Sequence, residues 1–167
     1  MARPDVKGLR ARRATLADLE RLLVLESRFP SDRISRRAFR RLLTQARAEV
    51  WVSVAGGRVV ANAVVLFRAN SRRARLYSIV ADPAVRRRGV GSQLLAIIEQ
   101  RALARSCDRI GLEVRASAAR VISWYRRHGY ASVRRESDYY DDGGAVLRMQ
   151  KSLRVPKVKP RSVPQAA

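Results

Sequence analysis

Between Leu76 and Arg101 the chain reads LYSIVADPAVRRRGVGSQLLAIIEQR, and the centre of that stretch has the residue types to hold an anion. Arg86, Arg87 and Arg88 supply positive charge, while Gly89 and Gly91 flank Val90 and let the backbone approach a ligand closely. The first amides of a helix beginning here would lack intrahelical carbonyl partners and would sit at the positive end of the helix dipole. Phosphate is the anion that such a terminus binds most readily. Arginine- and glycine-rich turns also precede helices that bind nothing, so the spacing alone leaves both readings open. Neither a Walker-type loop nor a G-x-G-x-x-G dinucleotide fingerprint is present.

The neighbouring residues say how this turn is held. Leu76 to Ala81 is short, apolar and partly β-branched, which predicts a strand, and Asp82-Pro83 ends it because proline cannot extend a ladder. From Gly91 onward Leu94, Leu95, Ile98 and Ala102 fall at helical spacing. The turn therefore joins a strand to a helix.

Composition bounds what the rest can be. A chain of 167 residues, 47% apolar, fits one domain with a real core. Its formal charge is +22, and only four of its 36 basic residues are lysines (Lys7, Lys151, Lys157 and Lys159). Scattered arginine fits a solvated surface; it also fits an anionic partner such as RNA, the ribosome or an acidic protein. A single cysteine, Cys107, excludes an intramolecular disulfide, and one histidine, His128, argues against a zinc site. No metal is expected. No apolar run approaches the ~20 residues of a membrane span, and Met1 to Arg13 lacks a signal-peptide core, so no membrane association and a cytoplasmic location are expected.

In chain order, Val6 to Ala14 alternates weakly as a first strand. Thr15, with Asp18, caps a helix rich in leucine, broken at Phe29-Pro30, and Ser35 caps a second one carrying Ala38, Phe39, Leu42 and Leu43. Glu49 to Ala55 and Arg58 to Arg68 form a hairpin about Gly56-Gly57. After the phosphate-type helix, Arg109 to Arg115 is a strand with Ile110, Leu112 and Val114 on one face and Gly111, Glu113 and Arg115 on the other. Ser117 is expected to cap the next helix and Gly129 to end it. Tyr130 to Glu136 and Ala145 to Leu153 read as the last two strands. The order β-α-α-β-β-β-α-β-α-β-β predicts an α/β (α+β) domain over 1–153, a mixed sheet of about seven strands flanked by about four helices. Residues 154–167 read as a flexible basic tail with three prolines.

Two sets of residues carry a family resemblance. The Arg86-x-x-Gly89-x-Gly91 segment resembles the R-x-x-G-x-G turn of the GCN5-related N-acetyltransferases (GNAT), which wraps the pyrophosphate of acetyl-coenzyme A. LEVRAS at 112–117, WYRRHGY at 124–130 and YYDDG at 139–143, with Met149 downstream, resemble the ribosomal-protein alanine N-acetyltransferase subgroup. The resemblance spans about Leu9 to Leu153. It implies the GNAT fold and acetyl-CoA as cosubstrate. Backbone groups of Ile79, Val80 and Ala81 would hold the pantetheine arm, and Arg86, Arg87, Arg88, Gly89, Val90, Gly91 and Ser92 the phosphate end. It further implies Glu113 as general base and Tyr125 as general acid. On the residues alone, Glu113 reads as a surface strand residue paired to an arginine, and Tyr125 as a core tyrosine. One position departs: relatives usually carry Asn after the serine of this motif, and here it is Ala118.

Acetyl transfer needs a neutral amine. An α-amine with pKa ~8 costs about 1.4 kcal/mol to deprotonate at pH 7, whereas a lysine near ~10.4 costs roughly 4.5 kcal/mol. The acceptor expected from the resemblance is the amine of a protein or peptide N-terminus, with the protein a monomer or homodimer. A small amine or lysine side chain, or a non-catalytic RNA- or ribosome-binding module on the same fold, are the alternatives.

Overall fold

The computed structural model describes residues 8–29 and 33–154. The expected tail over 154–167 falls outside the described residues except for Arg154, as does the start of the expected first strand. Seven strands form one sheet: β1 (Arg10–Arg13), β2 (Ala48–Ala55), β3 (Arg58–Phe67), β4 (Arg73–Ala81), β5 (Arg109–Arg115), β6 (Ala131–Glu136) and β7 (Val146–Ser152). Four helices accompany them: α1 (Leu19–Glu26), α2 (Arg36–Thr44), α3 (Val90–Ala104) and α4 (Ala119–Arg127). Strand order across the sheet is β1-β2-β3-β4-β5-β7-β6. Every neighbouring pair is antiparallel except β4 and β5, which run parallel on either side of the α3 crossover. The mixed seven-stranded α/β architecture is the one expected.

Each face of the sheet carries its own core. Leu19, Leu22 and Leu25 of α1 and Phe39 and Leu42 of α2 pack on Val50, Val52, Val64 and Val80. On the opposite face Leu94, Leu95, Ile98 and Ala102 of α3, with Ile122 and Tyr125 of α4, pack on Ala63, Leu76, Ile110, Leu112 and Val114. The i, i+1, i+4 and i+8 apolar positions of α3 are thus the ones that meet the sheet. Cys107 belongs to this second core, as its size suggests.

Local chemistry sets several boundaries. Thr15 donates its N–H to Asp18 Oδ2 at 2.8 Å, and Ser35 Oγ accepts from the Ala38 N–H at 3.2 Å, so both polar starts operate. Gly56 and Gly57 take φ of 55° and 74°, the double left-handed turn that a two-residue hairpin requires. β4 begins earlier than its apolar run, because Arg73 and Arg75 alternate with buried Ala74. The Ser117 cap is not formed. Ala119 donates its N–H to the Ser117 carbonyl at 2.9 Å, so Ser117 is still in the turn out of β5 and Ala118, which has no side-chain acceptor, occupies the cap position.

Candidate active site

An opening between β4 and β5 organises the site. The two strands pair only where Arg73, Ala74 and Arg75 meet Arg109, Ile110 and Gly111. Beyond that point β4 runs on to Ala81 and β5 to Arg115, each held only on its outer side, by β3 and β7 respectively. The β3–β4 register shifts between Val64 and Val65, which pair with Ser78 and Leu76, leaving Tyr77 as the extra residue of a bulge beside the opening. Ile79, Val80 and Ala81 follow the bulge, with their free strand edge toward the opening.

At the end of β4, Asp82 accepts from the Ala84 N–H at 3.0 Å and from Arg21 Nη2 at 2.7 Å. Pro83 then starts a single 3₁₀ turn through Val85. Arg87 and Gly89 both adopt positive φ, 65° and 75°, and Gly89 is the cap residue of α3. Nothing lies within 4 Å of where a Cβ on Gly89 would stand, so the turn leaves open space in front of the helix. Exposed Arg86, Arg87, Arg88 and Gly89 border that space, and the amides of Val90, Gly91 and Ser92 open the helix behind it. These residues fit a phosphate group. Ser92 is also engaged internally: its Oγ hydrogen-bonds with His128 Nε2 at 2.9 Å, while His128 Nδ1 donates to the Trp124 carbonyl at 2.8 Å. Sequence reasoning placed His128 in the WYRRHGY segment and counted it against a zinc site, and did not see this tie between α3 and α4.

Glu113 and Tyr125 lie on opposite faces of the sheet. Glu113 is on the α1–α2 face, alternating with Leu112 and Val114 of the other core. Its Oε2 accepts from Arg75 Nε and its Oε1 from Arg148 Nη1, both at 2.9 Å. Neither arginine was singled out in the sequence. Arg148 stands directly opposite Glu113 in the β5–β7 ladder, a register that β7 alone does not announce. Tyr125 is buried in the α3–α4 core, with its ring 5.0 Å from Trp124 and 5.5 Å from Tyr130. Burial pushes its phenol well above the usual tyrosine value, so it stays protonated at neutral pH. The β4–β5 opening is a place where groups on the two faces can meet a common ligand.

The rest of the Glu113 face carries three tyrosines beside arginines. Arg75 lies 5.4 Å from the Tyr77 ring centroid, Arg148 5.7 Å from Tyr139 and Arg115 3.9 Å from Tyr140. Asp142 of the following turn pairs with Arg115 at 2.9 Å. Among the described residues no cluster of three or more His, Cys, Asp or Glu could hold a metal, and no helix is long and apolar enough to cross a membrane.

Residues 16–130 match the family model described as the acetyltransferase (GNAT) family, a span that takes in α1 through α4 and the whole opening. The chain belongs to the GNAT acetyltransferase family. No curated protein sequence matches it. Among solved GNAT-like structures, the ribosomal-protein-S18-alanine N-acetyltransferase from Escherichia coli is similar at 24% identity and a TM-score of 0.78, over 87% of this chain and 94% of that one. The NatC complex bound to Gag peptide and CoA is similar at 17% identity and 0.77, over 87% and 99%. A nourseothricin acetyltransferase is similar at 20% and 0.74, over 87% and 99%. At these identities the likeness establishes the GNAT fold, and the acceptors of those proteins differ among themselves.

Proposed function

We propose that this protein moves an acetyl group from acetyl-CoA to the α-amine of a protein or peptide N-terminus in the cytoplasm. The observation that carries the reading is the β4–β5 opening, with a carboxylate on one face and a buried, protonated phenol on the other. Ile79, Val80 and Ala81 present a strand edge on which an extended amide-bearing arm can pair. The turn from Arg86 to Gly89 and the amides of Val90, Gly91 and Ser92 offer the anion site for its phosphate end. Bound acetyl-CoA supplies an activated acetyl group and a thiolate leaving group.

Glu113 takes one proton from the amine as its nitrogen bonds to the acetyl carbon, acting directly or through one water. Tyr125 gives its phenolic proton to the departing sulfur, and its high pKa keeps that proton in place until then. The two proton movements balance, so the enzyme returns to its starting state after one proton exchange with solvent. A Glu113 base suits an α-amine better than a lysine, because the lysine holds its proton by about 3 kcal/mol more. The peptide-bound NatC neighbour supports a peptide acceptor, and the nourseothricin acetyltransferase keeps a small amine as the second reading.

Calorimetry with acetyl-CoA at physiological salt tests the cofactor half, with ADP and a non-phosphorylated acetyl thioester as controls. Micromolar binding that requires both ends of the molecule is expected. Binding matched by ADP alone would remove the acetyltransferase assignment for this chain's site.

A further inference from the structure

Glu113 belongs to a row of alternating charges that crosses four strands. Arg75 of β4 donates to Glu113 of β5, Arg148 of β7 donates to both Glu113 and Glu136, and Arg134 of β6 pairs with Glu136 at 3.2 Å. The row reads plus, minus, plus, minus, plus: three guanidiniums against two carboxylates. Its β4 end, at the opening, is a cation. Exposure is arranged the same way. The Glu113 side chain is 16% exposed, whereas those of Arg75 and Arg148 are 43% and 40% exposed, so an approaching acceptor meets guanidinium before carboxylate.

This arrangement is a poor landing site for a cation. Each oxygen of Glu113 already accepts one charged donor, so an arriving amine competes with a guanidinium for the carboxylate's remaining lone pairs. An anionic group on the acceptor would compensate the excess guanidinium and give Arg75 another carboxylate to bind. Glu113 Oε2 would then be released at the moment the amine arrives.

Building on the proposed acetyl transfer, we infer that the preferred acceptor carries a carboxylate side chain close to its amine, which binds Arg75 and releases Glu113. Acidic N-terminal peptides are the substrate class. The chemistry is unchanged by this: one proton passes from the amine to Glu113 and one from Tyr125 to the leaving sulfur. What the acidic residue adds is both affinity and exposure of the base. The surrounding field, from a chain of charge +22, acts in the same direction at longer range.

The test compares two pentapeptides with N-terminal alanine that differ only in glutamate or lysine at the second position. Peptide binding is measured by calorimetry with coenzyme A present, and kcat/KM with acetyl-CoA. The glutamate peptide should be favoured by about tenfold in both, the scale of one charge-assisted contact. Arg75→Gln should reduce that preference to below about threefold, and Arg75→Glu should invert it. Arg127→Gln, the same charge loss on exposed α4, should keep the preference, which separates a contact from the general field.

Equal use of the two peptides by the parent protein, or a preference for lysine, would overturn the inference while leaving acetyl transfer intact. So would an undiminished preference in Arg75→Gln. Acetyl-CoA binding with neither peptide bound or acetylated would instead overturn the N-terminal acceptor reading, and the inference with it.

Discussion

Glu113 and Arg148 stand directly opposite each other in the antiparallel ladder of β5 and β7, and Arg148 Nη1 donates to Glu113 Oε1 at 2.9 Å. The proposed base is thus fixed by its cross-strand partner rather than by a loop. Its rotamer is set before any acceptor arrives, which lowers the entropy cost of presenting it. Arg75 fixes the other oxygen from β4, so the carboxylate also ties together the two strands that border the opening.

Removing either proposed proton carrier should separate binding from chemistry. Glu113→Gln and Tyr125→Phe are expected to keep acetyl-CoA affinity within about threefold while lowering kcat by at least about tenfold each. Steady-state kinetics paired with calorimetry reads this directly. Full turnover in both variants would strip the two residues of their roles.

Gly89 should report on the phosphate end. Its φ of 75° strains any branched residue, although open space surrounds the missing Cβ. Gly89→Val is therefore expected to distort the turn and fill the space before α3, weakening acetyl-CoA binding by about tenfold or more. Global stability should fall by only about 1–2 kcal/mol, since the residue is exposed and packs on nothing. Unchanged affinity would place the phosphates elsewhere.

Much of this was legible in the chain because the signals were local. Asp82-Pro83, Gly89 and the spacing of Leu94, Leu95 and Ile98 fix the strand, turn and helix without reference to distant residues. The ion pairs around Glu113 were not legible. They depend on β7 pairing with β5 in one register and on the parallel contact of β4, joined to β5 through a whole helix. A single strand sequence carries neither. Ser117 misled for the opposite reason: a good capping residue lay one position before the cap, in a turn that already used its carbonyl. The arginine excess also concealed Arg75 and Arg148, two among many exposed cations until the ladder singled them out.

Glu26 predicts a pH-dependent stability. It is buried at the end of α1, where Ser78 Oγ donates to it at 2.8 Å. Burial raises its pKa above the ordinary 4.5, and the Ser78 hydrogen bond only partly offsets this. A carboxyl raised in the fold contributes stability below its unfolded pKa and loses it as pH rises through the folded value. Glu26→Gln, which cannot ionise, should therefore gain on the parent protein between pH 5 and pH 8. The gain should be on the order of 1 kcal/mol, or roughly 2–4 °C in Tm. A Tm difference that stays constant with pH would show that Glu26 does not titrate in this range.

Glu49 predicts the reverse at the other end of the pH scale. Its side chain is fully buried at the start of β2, yet Arg101 donates two hydrogen bonds, Arg105 and Trp51 Nε1 one each, and Arg13 lies 3.3 Å away. Burial alone would raise the carboxyl; the Arg101 and Trp51 donors and the charges of Arg13 and Arg101 outweigh it and hold the pKa at about 2. A depressed carboxyl contributes fully above its unfolded pKa, and that contribution is lost as pH falls from about 4.5 toward about 2. The arginines are 34% to 47% exposed, so solvent screens part of the attraction, and about 2 kcal/mol is the expected scale rather than the larger cost of a wholly buried pair. Glu49→Gln should lose about that much at pH 7 and only about a quarter of it at pH 2.5, which urea titrations at the two pH values would read. Because the cluster ties β2 to the C-terminal half of α3, far along the helix from Gly89, acetyl-CoA affinity should be unchanged in the folded variant. A loss at pH 7 that persisted in full at pH 2.5 would mean that packing, not charge, is what Glu49 contributes.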